Sequence, residues 1–266
     1  MKLNINWKKT FLVTFDVLIA AYLVMAVTSW NTPSRDNEVC TKVVINVADE
    51  NVNGFLNSAE VKTLLERVHL YPLSQSMDDI NPRQIEQALR NMPFVKTAQC
   101  YATEDNHVCI TITQRTPIIR VKSVTGEDYY IDDNGGVMPN SQYTSDMIIA
   151  TGTISKPYAC HYLYLLAQKL MADELWRNQI EQINVLPDKT IELVPRVGNH
   201  IVNIGQLPIG SNNEEHREAV DEFVTKQLHR LELFYREGLK YAGWEKYDYI
   251  DLEYSNQIVC RRRENS

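Results

Sequence analysis

The chain has 266 residues, 34 acidic against 27 basic side chains and a formal net charge of -7 at pH 7. That balance, with no basic stripe interleaved with aromatics and one short basic run at Arg261-Arg262-Arg263, argues against a nucleic-acid partner. Five cysteines without a CxxC pair argue against zinc and against a disulfide-dense scaffold.

Thr10 to Trp30, TFLVTFDVLIAAYLVMAVTSW, is an apolar run of 21 residues. An α-helix needs about 20 to cross roughly 30 Å of hydrocarbon. Lys2, Lys8 and Lys9 precede it, whereas Arg35 is followed by Asp36 and Glu38, so the Lys/Arg bias puts the N terminus in the cytoplasm. Residues 1–9 are then a cytoplasmic stub and 10–30 a single transmembrane helix bracketed by Trp7 and Trp30, with the rest of the chain on the far side of the bilayer. The alternative is a cleaved secretory signal, which would have a shorter apolar core and a small-x-small exit; Ala26-Val-Thr28 is a poor one. Asp16 is the one ionisable residue in the run. It either protonates or leans toward Lys9 and the interface, or it makes a polar contact with a partner's helix.

The roughly 236 residues beyond the run hold two small domains more comfortably than one core. Asn31 to Val39, polar and carrying Pro33, reads as a tether. Lys42 to Val47 has the β-branched density of a strand. Asn57 caps a helix with Glu60 three residues on, and Val61, Leu64, Leu65 and Val68 share its apolar face. Asn81-Pro82 starts a second helix that turns Ile85, Ala88 and Leu89 inward until Pro93 stops it. Phe94 to Ala102 and His107 to Thr113 alternate apolar with polar around a polar turn, which is a β-hairpin. The order strand-helix-helix-strand-strand over 40–116 predicts an α+β sandwich. A hairpin centred between Glu104 and Asp105 sets Cys100 opposite Cys109, where an oxidising exterior permits a disulfide. Sheet geometry seldom suits such a bond and a one-residue shift separates the pair, so two small core cysteines are the alternative.

Pro117 opens the second unit, 117–266. Ile118 to Val124 and Tyr129 to Asp132 read as strands about a Gly126 turn, and Asp132-Asp-Asn-Gly-Gly136 as a further turn. Tyr158 to Trp176 carries Leu163, Leu166, Leu170 and Leu175 at helical spacing. Three strands follow, at Ile180 to Leu186, Thr190 to Val194 and His200 to Ile204. A long amphipathic helix covers Glu214 to Leu239, with Val220, Phe223, Leu228, Leu231, Phe234 and Tyr235 on its buried side. Tyr247 to Tyr254, a break at Ser255-Asn256, and Gln257 to Arg263 make a final hairpin. The unit is therefore a larger β domain, mostly antiparallel, with flanking helices.

Catalytic chemistry finds no foothold. The six histidines, His69, His107, His161, His200, His216 and His229, form no HExxH or other paired metal spacing, and GxSxG, GxGxxG and phosphate-cradling loops are missing. The expectation is a non-enzyme with no catalytic residues, no metal, no cofactor and no small-molecule substrate.

Ile85-Glu-Gln-Ala-Leu-Arg-Asn-Met-Pro-Phe-Val-Lys-Thr-Ala98, with the hairpin to Ile112-Thr-Gln-Arg-Thr-Pro-Ile118, resembles the end of a POTRA domain as found in the bacterial FtsQ/DivIB cell-division family. Tyr129-Tyr-Ile-Asp-Asp-Asn-Gly-Gly-Val-Met-Pro139 is similar to that family's next element, and Tyr249-Ile-Asp-Leu-Glu-Tyr254 with Asn256-Gln-Ile-Val to its penultimate and last strands. The order of these weak motifs, behind a single N-terminal anchor, carries the resemblance over nearly the whole chain. It implies a non-enzymatic scaffold at the division septum, single-pass in the bacterial inner membrane, with a periplasmic POTRA domain and β domain. The implied partners are FtsB-like and FtsL-like bitopic proteins and other divisome proteins. A partner segment is implied to lie as an added strand on the last strand of the β domain, and the family's contact positions fall on Tyr254, Asn256, Ile258, Arg261 and Arg262. An edge strand leaves backbone groups unpaired, which a second chain can satisfy. In the alternative, Tyr254 is core and the arginines guard an edge against aggregation. Glu253 stands where well-known members carry a basic residue, a departure that leaves the partner's charge pattern outside what the resemblance implies. The rival functions are a POTRA protein of polypeptide transport or outer-membrane assembly, and an extracytoplasmic hydrolase; the first lacks tandem repeats or a barrel here, the second lacks catalytic candidates.

Overall fold

The computed structural model describes residues 7–29, 38–48, 54–141, 147–210 and 212–264. Helix α1 (Trp7–Ser29) exposes Phe11, Leu12, Val13 and Leu18 on all its sides. Its side chains are described only over 11–26, and among the described residues no helix is long and apolar enough to cross a membrane. Lys2, Trp30 and nearly all of the expected tether, residues 31–37, lie outside the described residues.

The first unit follows the expected order: β1 (Lys42–Val47), α2 (Ser58–Arg67), α3 (Pro82–Arg90), β2 (Val95–Ala102) and β3 (His107–Gln114). The sheet order is β1-β3-β2, with β1 parallel and β2 antiparallel to the central β3. Asn57 accepts from the Glu60 amide at 2.9 Å and Glu60 returns the contact, which is the reciprocal capping box that its spacing predicted. Asn81, ahead of Pro82, caps α3 by accepting from the amides of Arg83 and Gln84, without a return bond. Val61, Leu65, Ile85 and Leu89 bury against Val47, Ala98, Val108, Ile110 and Ile112. Val68 departs from the expected apolar face, because the helix has already ended there and leaves it exposed.

The Cys100–Cys109 pairing is corrected. Cys100 stands opposite Ile110 and Cys109 opposite Tyr101, and both thiols are free. Thr103 N–H donates to the His107 carbonyl at 2.9 Å, closing a loop of Glu104, Asp105 and Asn106 in which Asn106 takes φ 58. A three-residue loop ending in a left-handed residue centres the hairpin on Asp105 instead of between Glu104 and Asp105, which slips the register by one and sends the two side chains to opposite faces. Burial pushes the Cys100 thiol up to about 12, helped by the neighbouring Glu86 carboxylate, so it stays protonated.

The second unit is one sheet of nine strands: β4 (Pro117–Ser123), β5 (Asp128–Asp132), β6 (Val137–Pro139), β7 (Ile148–Gly152), β8 (Ile180–Val185), β9 (Thr190–Pro195), β10 (Ile201–Gln206), β11 (Tyr247–Asp251) and β12 (Val259–Arg262). Their spatial order is β12-β11-β10-β9-β8-β7-β4-β5-β6. Pairs β4–β7, β7–β8 and β10–β11 are parallel and the others antiparallel. Between β7 and β8 the expected single helix is broken. A wide turn at Ala159–Leu163 leads into α4 (Tyr164–Ala172), and Asp173 then caps α5 (Glu174–Gln179) by accepting from the amides of Leu175 and Trp176. Trp176 is thereby buried and Leu175 turned outward. Helix α6 (Asn213–Leu233), capped by Asn212, lays Val220, Val224, Leu228 and Leu231 on the sheet's core face beside Leu163, Leu166 and Leu170 of the preceding helices. A wide turn, Phe234–Leu239, continues it.

The two units meet over the stretches that carry the family resemblance. Phe55 stacks on Phe94 at 5.6 Å and meets Tyr130 edge-on at 5.5 Å, with Met138 buried in the same cluster. Arg115 donates through Nε to buried Asp132 at 2.7 Å, and through Nη1 to the Pro93 and Val137 carbonyls. Asp132 in turn accepts from the amides of Asn134 and Gly136, so the acidic-glycine turn is a socket for Arg115.

Candidate partner-binding edge

β12 is the last strand of the nine-stranded sheet, paired on one side to β11 in antiparallel register, with Asp251 opposite Val259, Ile250 opposite Cys260 and Tyr249 opposite Arg261. Its other side faces no strand of the described chain. A row of backbone N–H and C=O groups is thus open to an incoming chain.

The turn that delivers β12 is held from behind by α6. Arg230 donates through Nη1 to the Leu252 carbonyl at 2.6 Å, and through Nη2 to the carbonyls of Tyr254 at 2.6 Å and Gln257 at 2.8 Å. Gln227, buried in the apolar face of α6, orients that guanidinium with its Oε1 at 2.7 Å and donates to the Ile204 and Leu252 carbonyls. From the sheet side, Asn203 donates to Asp251 at 3.0 Å, and Asp251 accepts from the Glu253 amide at 2.9 Å. The backbone of Leu252, Glu253, Tyr254 and Gln257, between the two strands, is therefore tied to side chains. Such a loop presents its edge in one conformation, which removes ordering cost from any binding event.

The five expected positions fall into three environments. Tyr254 is 53% exposed in the turn and Asn256 is exposed beside it. Ile258 is half-buried and packs on the domain core, so much of its apolar surface is already used by the fold. Arg261 and Arg262 lie on β12 itself, both exposed. Arg261 bonds Asp248 at 2.7 Å and covers the Tyr249 ring at 5.2 Å, and this partner raises its affinity for its proton. Tyr249 donates to Glu192 at 3.2 Å, and burial, with that carboxylate, pushes its hydroxyl up to about 12. Arg263 is held by Glu245 at 2.6 Å and the Asn199 carbonyl. Among the described residues no ion pair engages Arg262, which borders a shallow hollow of about 510 Å³ shared with Gly243, Trp244 and Lys246. A guanidinium beside an aromatic ring is chemically able to pair with a carboxylate or with another ring.

Sequence reasoning did not single out Gln227 or Arg230. The signal was present: Gln227 stands among Val220, Val224, Leu228 and Leu231, an amide inside an apolar stripe. A polar group buried there needs a partner.

Residues 38–113 match a family model described as a POTRA-like domain, and residues 116–261 match one described as FtsQ/DivIB, C-terminal related. No curated protein shows significant similarity to the chain. The second match alone spans more than half of the 266 residues and ends on β12, so the chain belongs to the FtsQ/DivIB family, a family of non-enzymatic cell-division proteins.

Proposed function

We propose that this chain is a division scaffold that captures FtsB-like and FtsL-like bitopic proteins by accepting a strand from one of them on β12. The observation that carries the reading is the unpartnered side of β12 on a turn braced by Arg230 and Gln227. Main-chain bonds to the edge supply affinity, each net roughly 0.5–1.5 kcal/mol. Tyr254, Asn256 and Arg262 supply side-chain contacts on the accessible rim, with Arg261 covering Tyr249 and Ile258 seating the strand. Within the apolar run 10–30, the side chains from Phe11 to Met25 are exposed in α1, which supports a single inner-membrane anchor with the two folded units in the periplasm at the septum.

Depletion of the chain tests the role. Filamentation with normal levels of outer-membrane barrel proteins supports a division scaffold, and loss of barrel proteins without filamentation supports the transport alternative. Capture of an FtsB-like partner by the full chain, lost in Tyr254→Ala, tests the edge; equal capture by parent and variant contradicts it.

A further inference from the structure

β2 is an outer strand of the three-stranded sheet, and like β12 it has a side with no strand beside it. Between Ala98 and Cys100 that side is not open. The Cys100 N–H donates to Glu86 Oε1 at 2.9 Å, and the Ala98 carbonyl accepts from Arg90 Nη2 at 3.1 Å. The carboxylate and guanidinium are themselves paired at 3.1 Å. A residue of a parallel strand uses this same pair of groups, donating to the carbonyl of one residue and accepting from the N–H two positions on. The Glu86–Arg90 pair occupies them with an acceptor and a donor of the right sense.

The placement follows from α3. Ile85 and Leu89 are buried under the helix, so Glu86 and Arg90, one position on and one turn apart, run along its flank beside β2. No comparable cap exists on β12: among the described residues no side chain bonds the backbone of 259–262, and Arg230 grips the turn before it instead.

We infer that Glu86 and Arg90 are specificity-determining residues that close the β2 edge by standing in for one residue of a neighbouring strand. Closure is a property of β2 alone. That it leaves β12 as the strand acceptor rests on the function proposed above. The occupant that closure excludes is a second copy of this chain, since an edge of identical sequence always offers its own complement across a two-fold axis.

The test is hydrogen exchange and sedimentation of the full chain in detergent, comparing the parent with Glu86→Ala/Arg90→Ala and with Glu86→Gln/Arg90→Lys. The Cys100 amide should exchange at least about tenfold faster in the alanine pair, and the glutamine–lysine pair, which keeps an acceptor and a donor, should recover most of the protection. The alanine pair should also dimerise with rising concentration where the parent does not. Equal exchange of Cys100 in parent and alanine pair overturns closure. A freed amide with an unchanged association state overturns the guarding role. Should the alanine pair fail to fold, Glu86→Ala alone carries the same amide and sedimentation comparison. Capture of the FtsB-like partner is read separately in each variant, so failure of the β12 reading shows as lost capture in the parent and leaves the exchange result intact.

Discussion

Arg230→Ala probes the brace behind the edge strand. The substitution removes the donor to three carbonyls, those of Leu252, Tyr254 and Gln257. A hydrogen bond from a charged group contributes roughly 1.5–3 kcal/mol net when its acceptor is withdrawn from water. Only the Leu252 contact is part-buried, and Leu252 keeps the Gln227 amide at 3.1 Å, so its carbonyl is not orphaned. The Tyr254 and Gln257 contacts lie in the open, where water replaces the lost donor at small cost. The sum is about 2 kcal/mol. Urea unfolding of the full chain should show that loss, and hydrogen exchange should quicken first over residues 253–258, because the turn loosens before the sheet does. Arg230→Lys reaches one carbonyl in place of three and should recover less than half. A shift below about 0.5 kcal/mol, with unchanged exchange in the turn, would refute the idea that α6 pre-organises the edge.

Three other substitutions separate the layers of the account. Tyr254→Ala should leave stability within about 0.5 kcal/mol of the parent, because the side chain is half in water, yet weaken partner capture by about 2 kcal/mol or more, read by titration. Ile258→Glu, by contrast, should destabilise the β domain itself, since it places a carboxylate against the core on which Ile258 packs; calorimetry showing an unchanged Tm would count against that packing. Gly152→Ala should cost about 3 kcal/mol or more, because φ is 103° and an added Cβ would sit 2.1 Å from the Val185 carbonyl oxygen on the paired strand; a variant of parental stability would be inconsistent with the β7–β8 register. The His200 imidazole gives a pH signature. Burial, with the Arg263 guanidinium near it, lowers its affinity for a proton, while its Nε2 shares a 2.8 Å hydrogen bond with Tyr235. The unfolded chain then takes up a proton below about pH 6.5 that the folded one resists, so stability is full above that pH and falls as pH drops toward 5. His200→Gln should flatten that part of the slope in thermal unfolding between pH 7 and 5, and an undiminished slope would assign it elsewhere.

What was legible in the sequence was local. The Asn57–Glu60 box and the Asn81-Pro82 start are signals contained within one turn, and both helices begin where those residues put them. The first hairpin was legible as a hairpin but not in register, because the left-handed Asn106 makes a three-residue loop where a symmetric turn was expected. The leucines of residues 158–176 keep helical spacing and so predict one continuous helix, whereas the break lies at Asp173, a residue whose side chain caps a new start. The insertion of β4 beside β7, and the parallel β10–β11 pair, depend on contacts far apart in sequence and have no local mark. At the edge, the arginines and tyrosine were visible by type. Their division into exposed Tyr254 and Arg262, ion-paired Arg261 and half-buried Ile258 came only with the packing, as did the Arg230–Gln227 brace.

The central claim is that the outer side of β12 is satisfied by a strand from another polypeptide. Photo-crosslinking in dividing cells, with a photoreactive residue in place of Arg262 and a control in place of the exposed Leu175 on α5, tests it most directly. The account predicts an adduct with a small bitopic FtsB-like protein from position 262 and none from 175. No adduct at 262, or one of equal yield at 175, would contradict it.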